Sequence, residues 1–183
     1  MGSASLHEIV ANDGVLLEQA AAGSERAFTQ IYRRYARYVA TVAYRVMGSD
    51  AELDDVVQEA FLDASRSIGT LRDAAGLRAW LGRITVRRVY KRLARRRRWR
   101  WMLREAQEPS VVFSDPGLRA QLTDLYRSLD ALPPKLRIPW ILHRIEGETL
   151  PDVATMCEIS LATVKRRIAA ASAHVEQVLD EKR

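Results

Sequence analysis

Three short stretches of this chain carry residue types able to do chemistry on a polyanion or on a charged partner. Residues Ala94 to Trp101 read ARRRRWRW, five arginines and two tryptophans in eight positions. Guanidinium groups attract phosphate without regard to base sequence, and an indole ring can stack on an unpaired base or pack against its own domain. Further on, Thr163, Lys165, Arg166 and Arg167 fall within the run TVKRR, which at helical spacing gives a basic face suited to phosphates and base edges in a major groove. The third stretch, AELDDVVQEAFLDA, sets Asp55 and Glu59 one helical turn apart with Asp54 and Gln58 beside them. Like charges at that spacing cost a few tenths of a kcal/mol, so the face is either solvated surface or the seat of a basic partner. No Ser/His/Asp set and no glycine-rich phosphate loop accompanies them. One cysteine, Cys157, and three scattered histidines (His7, His143, His174) allow no internal disulfide and no metal-ligand spacing. Neither enzymatic chemistry nor a cofactor is expected.

The charge is local. Of 29 Lys and Arg in 183 residues, eleven lie between Arg83 and Arg104 with no acid among them, and the net charge of +6 therefore leaves the rest of the chain negative. A confined positive field draws a polyanion without coating it. With 48% hydrophobic residues the chain can bury a core. No apolar run approaches the roughly 18 residues of a membrane span, and the N-terminus lacks a signal-peptide pattern; no membrane insertion and a cytoplasmic location are expected.

Helical periodicity positions these groups. Phe28, Ile31, Tyr32, Tyr35, Val39, Val42 and Val46 recur at three- and four-residue steps, predicting a helix over Glu25 to Met47 that stops at Gly48. Ser49 with Glu52 three residues on reads as a capping box opening a second helix, with Leu53, Val56, Val57, Ala60, Phe61 and Ala64 as its buried stripe. A third helix starts near Leu77 and runs toward the arginine cluster, with Leu77, Trp80, Leu81 and Ile84 on one stripe, continued less regularly by Val86, Val89 and Leu93. The run WMLREAQEPSVVFSDPG has two prolines and no period, and reads as a linker. Periodicity resumes at Leu118, Leu122, Leu125, Leu129 and Leu132, breaks at two prolines, and returns in Ile138, Ile141, Leu142 and Ile145.

Two short helices follow. Thr149 caps the first, with Pro151 in its first turn and Asp152 where a carboxylate suits a helix N-terminus; Val153, Ala154 and Cys157 face inward. After a turn through Glu158, Ile159 and Ser160, Ser160 caps the second, packed through Val164 and Ile168. This spacing fits a helix-turn-helix, and an ordinary helical hairpin with a solvated basic face is the other reading.

Taken in order, DDVVQEAFLDA, GLRAWLGRITVRRVYKRL and, after the linker, LDALPPKLR, HRIEGETLPDVATMCEISLATVKRRI resemble the extracytoplasmic-function group of the sigma-70 family, over about Ser24 to Leu179. The resemblance implies an all-α protein of two helical domains joined by a flexible linker. Residues 1–23 are expected to be a flexible N-terminal segment, 24–98 a sigma-2 domain, 99–117 the linker, and 118–183 a sigma-4 domain. It implies an RNA polymerase sigma factor that binds the core enzyme and directs promoter-specific initiation through the -35 and -10 elements.

By that resemblance Asp54, Asp55, Val56, Val57, Gln58 and Glu59 dock on the clamp helices of the largest polymerase subunit, and the sigma-4 domain sits on the flap of the second-largest. The loop Arg72, Asp73, Ala74, Ala75 and Gly76, with Arg78, Arg83, Arg87, Arg88 and Lys91, handles the -10 element and captures an extruded base; many relatives carry Asn where this chain has Arg87. Ser160, Thr163, Lys165, Arg166, Arg167 and Ala169 lie on the -35 reader, where Ala169 and Ala170 replace larger residues, so direct readout is thin and Arg166 is the candidate for a guanine contact. Arg95, Arg96, Arg97 and Arg98 suit non-specific attraction to opened promoter DNA. A membrane-bound anti-sigma factor is a common partner in the family. Two departures stand out: Glu158 replaces a frequent Gly at a turn, a strain of about 1 kcal/mol if its φ is positive, and Pro139 inside a helix should kink or restart it. Cys157 reads as a small core residue. An autonomous helix-turn-helix regulator binding an operator is the main alternative, and a basic RNA-binding adaptor a third.

Overall fold

The computed structural model describes residues 6–103, 125, 128–129 and 131–180. Among them there are helices and two 3-10 turns and no strand. The helices are α1 (Leu6–Ala21), α2 (Glu25–Met47), α3 (Leu53–Ser67), α4 (Leu77–Leu103), α5 (Pro134–Arg144), α6 (Leu150–Cys157) and α7 (Leu161–Asp180).

The N-terminal segment expected to be flexible is instead largely α1. Leu16, Leu17 and Ala20 are buried against the first helices, and Asp13, also buried, pairs with Arg34 and accepts from the Tyr35 hydroxyl. A buried carboxylate is tolerable only when paired, and both its partners come from α2, twenty-one and twenty-two residues on. Helix α2 starts on a true cap, the Ser24 Oγ accepting from the Ala27 amide at 3.2 Å, and stops at Gly48 with φ 67°. That left-handed residue favours glycine.

The capping box over Ser49 does not form. Ser49 is buried and accepts from the Ala51 amide at 3.3 Å and from the Arg96 guanidinium at 3.5 Å, α3 begins at Leu53, and no side chain caps it. Glu52 is drawn away by arginines of α4, pairing with Arg92, Arg95 and Arg96 at 3.7, 3.1 and 3.4 Å. Helix α4 runs on through the arginine cluster to Leu103, five residues into the segment expected as linker; residues 104–124, the rest of that segment included, lie outside the described residues. Pro139 neither ends nor restarts α5, which continues through it to Arg144 with the ring buried. Its missing amide leaves the Lys135 carbonyl without a helical donor.

Two buried clusters hold the molecule together. One joins α1 to α4 through residues such as Ile31, Phe61, Leu77, Trp80 and Leu81. The other gathers Val42, Val46, Val86, Val89 and Leu93 of the first block with Leu129, Ile138, Leu142, Val153, Met156 and Val164 of the second. The two blocks thus share a core along one flank of α2 and α4.

Candidate nucleic-acid interface

The α6–α7 pair has helix-turn-helix form, and its local chemistry follows from the caps. Thr149 Oγ1 accepts from the Asp152 amide at 3.2 Å, and Ser160 Oγ from the Thr163 amide at 3.2 Å. Glu158 ends α6 at φ 54° with its amide returned to Ala154 and Thr155 carbonyls. It is the one non-glycine residue with positive φ among the described residues. Val153, Met156, Val164, Ile168 and Ala171 turn inward. Lys165, Arg166, Ala169 and Ala170 stand exposed on the outer face of α7, while Thr163 and Arg167 are half-buried. The Thr163 hydroxyl is engaged with Ser160 at 2.9 Å, so of the residues expected to read DNA, Lys165, Arg166 and the alanines are the ones left outward. Cys157 is half-buried, and burial pushes its thiol up to about 12, which keeps it protonated and unreactive at neutral pH.

On α3 the six residues expected to dock on polymerase divide. Asp54 and Gln58 are exposed and Val57 is half-buried. Val56 is fully buried and belongs to the core, a correction that follows from its place on the inward stripe. Glu59 turns to α4, pairing with Arg92 at 2.5 Å and Arg88 at 3.2 Å, and Asp55 approaches Arg92 at 3.7 Å. The like-charge pair is therefore compensated within the chain. Asp54, Val57 and Gln58 instead edge a groove of about 510 Å³ whose floor is Phe28, Tyr32, Phe61 and Leu62. The Tyr32 and Phe61 rings meet edge to face at 4.7 Å, and Leu62 is 47% exposed. Sequence reasoning passed over Leu62, although a leucine off the buried stripe of α3 was a signal for it.

On α4 the basic residues also part company. Arg88 is turned inward, its guanidinium held by both carboxylate oxygens of Asp63, and the Arg88 hydrogen bonds hold the Asp63 carboxyl below the usual carboxylate range. Arg92, 9% exposed, lies among Glu52, Asp55 and Glu59. Of the cluster Arg95 to Arg98, Arg95 and Arg96 pair with Glu52, Arg98 is exposed, and the Arg97 side chain lies outside the described residues. The outward set is Arg87 and Lys91, both exposed. Arg83, Arg87 and Arg66, the last unforeseen, line a cavity of about 260 Å³ with Asp63, Ser67 and Ile84. The loop before α4 is shaped by Asp73, which accepts from the Ala75 amide at 2.9 Å and opens the 3-10 turn Ala74–Gly76. Arg72, Asp73 and Ala75 are exposed, and Ala74 and Gly76 half-buried. Arg78 lies over the Tyr38 ring at 3.9 Å and pairs with Glu148 at 2.6 Å.

Compared with known proteins, the chain matches the family model Sigma-70 region 2 over residues 31–99 and Sigma-70, region 4 over residues 122–175. It is 29% identical over 180 residues to the RNA polymerase sigma-H factor of Pseudomonas aeruginosa, covering 91% of this chain and 93% of that protein. It is 29% identical over 175 residues to the ECF RNA polymerase sigma factor SigM of Mycobacterium tuberculosis (92% and 85%) and 27% over 172 residues to the ECF RNA polymerase sigma-E factor of Escherichia coli (85% and 88%). Among solved structures, CnrH in complex with the cytosolic domain of CnrY is similar at a TM-score of 0.69 and 27% identity, over 94% of this chain and 99% of that one. The sigma factor RpoE of Bartonella quintana, solved with the anti-sigma factor NepR, shares the fold at a TM-score of 0.67 and 22% identity, over 85% and 98%.

Proposed function

The chain belongs to the extracytoplasmic-function group of the sigma-70 family, as an RNA polymerase sigma factor that directs promoter-specific transcription initiation, and from that premise we propose how its surfaces divide the work. The first domain, in this reading, runs from α1 through α4, and the second from the segment before α5 to the end of α7. The α2–α3 groove takes the clamp helices of the largest core subunit. Its apolar floor supplies the area, and Asp54 and Gln58 at its edge supply the polar selection, in the pattern of an interface with an apolar centre and polar rim.

The outward residues of α4, Arg87 and Lys91, with the loop Arg72 to Gly76, handle the non-template strand of the -10 element. Extruding a base costs a few kcal/mol, least where the duplex is already opening, so a receiving pocket doubles as a melting device. Arg66, Arg83 and Arg87 around their cavity supply the charge for it. Helix α7 reads the -35 element through Arg166, with Lys165 on phosphate, and the second domain rests on the flap of the second-largest subunit. CnrH is solved with the cytosolic domain of CnrY, and by likeness this chain takes a protein partner, in our reading an anti-sigma factor that competes for the α2–α3 groove. The site of action is the bacterial cytoplasm, where the polymerase is.

The observation that carries this division is the pairing pattern on α3. Glu59 and Asp63 are engaged by α4, while Asp54 and Gln58 stay outward beside exposed apolar side chains. Asp54→Arg and Leu62→Glu should each weaken binding to core polymerase by about tenfold or more, equivalent to roughly 1.4 kcal/mol, with the helical content of the chain unchanged. Titration of labelled chain with core enzyme measures this, and unchanged affinity in both variants would move the docking face elsewhere.

A further inference from the structure

We propose that α1 braces the -10 loop: Asp13 fixes the register of α1 on α2, and Gly14, set by that register against Ala74, decides where the loop Arg72 to Gly76 stands. Asp13 and Gly14 are then positioning residues for capture of the extruded base. The inference rests on the reading above in which this loop handles the -10 element.

The buried residues of α1 include Asp13, Leu16, Leu17 and Ala20, the i, i+3, i+4, i+7 stripe of a helix lying on a core. Its first place is taken by a carboxylate. An apolar stripe can slide or turn at small cost, because any apolar neighbour serves it. Asp13 cannot. It is 2% exposed, and its two oxygens are divided between the Arg34 guanidinium and the Tyr35 hydroxyl, both of α2. A buried carboxylate that loses its partners is costly, so a single rotation and height of α1 satisfies it.

The next residue meets the loop. Helix α1 touches both 3-10 turns, Ile68–Thr70 and Ala74–Gly76. Leu71 and Ala74 are half-buried against the cluster that holds Leu16, Leu17 and Ala20, while Arg72, Asp73 and Ala75 are exposed. A Cβ added at Gly14 would lie 3.9 Å from the Ala74 Cβ. Alanine therefore fits at 14, and a larger side chain drives Ala74 outward.

Among the described residues, the hydrogen bonds of the loop are its own. The Leu71 amide donates to the Ile68 carbonyl at 3.1 Å, the Ala75 amide to the Asp73 carboxylate at 2.9 Å, the Gly76 amide to the Asp73 carbonyl at 3.1 Å, and the Leu77 amide to the Ala74 carbonyl. Each spans two or three residues, so these bonds shape the loop without fixing where it stands in the domain. Packing does that, and on one side the packing is Gly14. Misplacing a positioned group by about 1 Å can cost on the order of a hundredfold in rate.

The test uses the full chain with core polymerase and single-stranded oligonucleotides carrying the -10 element of a mapped promoter, one base removed in turn. With the unsubstituted chain, removing one particular base should weaken binding by about tenfold, which marks the extruded base. Gly14→Val should reduce that effect to about threefold or less and slow opening of the duplex promoter by about tenfold, with affinity for core polymerase unchanged. Valine is a better helix former than glycine, so a frayed α1 does not account for such a loss. Ala74→Gly added to Gly14→Val clears the space and should restore the effect of the missing base. Asp13→Leu should act like Gly14→Val although it adds nothing beside the loop, and Val15→Ser, at a position 54% exposed on the same helix, should change nothing. A base effect undiminished in both Gly14→Val and Asp13→Leu would overturn the brace, as would a loss that Ala74→Gly does not relieve or that Val15→Ser reproduces. If no single base matters to the unsubstituted chain, the reading of the loop falls first and the brace with it.

Discussion

In the proposed division of surfaces, Arg166 is the residue on which sequence-specific reading most depends. Its neighbours on the outer face of α7, Ala169 and Ala170, offer methyl groups alone, and Thr163 is engaged with the Ser160 cap. A bidentate arginine contact to guanine is worth roughly 1 to 3 kcal/mol of discrimination. Arg166→Ala should therefore relax preference at one or two base pairs of the -35 element, read by a promoter-library selection with the holoenzyme. Uniform weakening across the library would show a phosphate contact instead. Much of this face was legible in the sequence, because basic residues at helical spacing after a Ser cap leave little freedom. The division of labour within the arginines was not. Arg87 and Arg88 are adjacent and identical in type, yet one is exposed and the other is gripped by Asp63, and that depends on a helix 25 residues away.

At the scale of elements, two features carry measurable costs. Glu158 holds a left-handed φ of 54° at the end of α6. Glycine has no steric cost there but loses more entropy on folding, so Glu158→Gly should gain roughly 0.5 kcal/mol, a rise of about 1 to 2 °C in Tm by thermal unfolding. A lower Tm would mean that the 3.8 Å approach of Arg83 outweighs the strain. Arg92 is the larger case. Among the described α4 arginine side chains it is the most buried, and it faces three carboxylates. Arg92→Leu keeps the packing and leaves those acids facing one another, and should cost about 1 to 3 kcal/mol in urea unfolding. A neutral result would show that solvent screens the α3 acids. Apolar stripes announced α2, α3 and α4 well because their period is a local property. The capping box at Ser49 misled because the Glu it needs has a stronger attraction to Arg92, Arg95 and Arg96, some forty residues on. Helix α1 was missed for the same reason: its stability draws on the pairing of Asp13 with Arg34 and Tyr35.

The whole molecule adds what no single element shows, the placing of one helical block against the other. The sequence announced both blocks and their order, since each brings its own stripes and caps. It was silent about their seam, which rests on Gly82, Met156, Glu146 and Glu148, residues without a periodic signature. The same arrangement leaves the α2–α3 groove outward and the basic side of α4 partly free, as the proposed division of surfaces requires. Reconstituted transcription on genomic fragments, with start sites mapped for core polymerase with and without the chain, tests this most directly. The account predicts transcripts that begin at a limited set of sites only when the chain is present, share two upstream elements, and disappear with Asp54→Arg or Leu62→Glu. Start sites identical to those of core polymerase alone, or initiation undiminished in both variants, would contradict it.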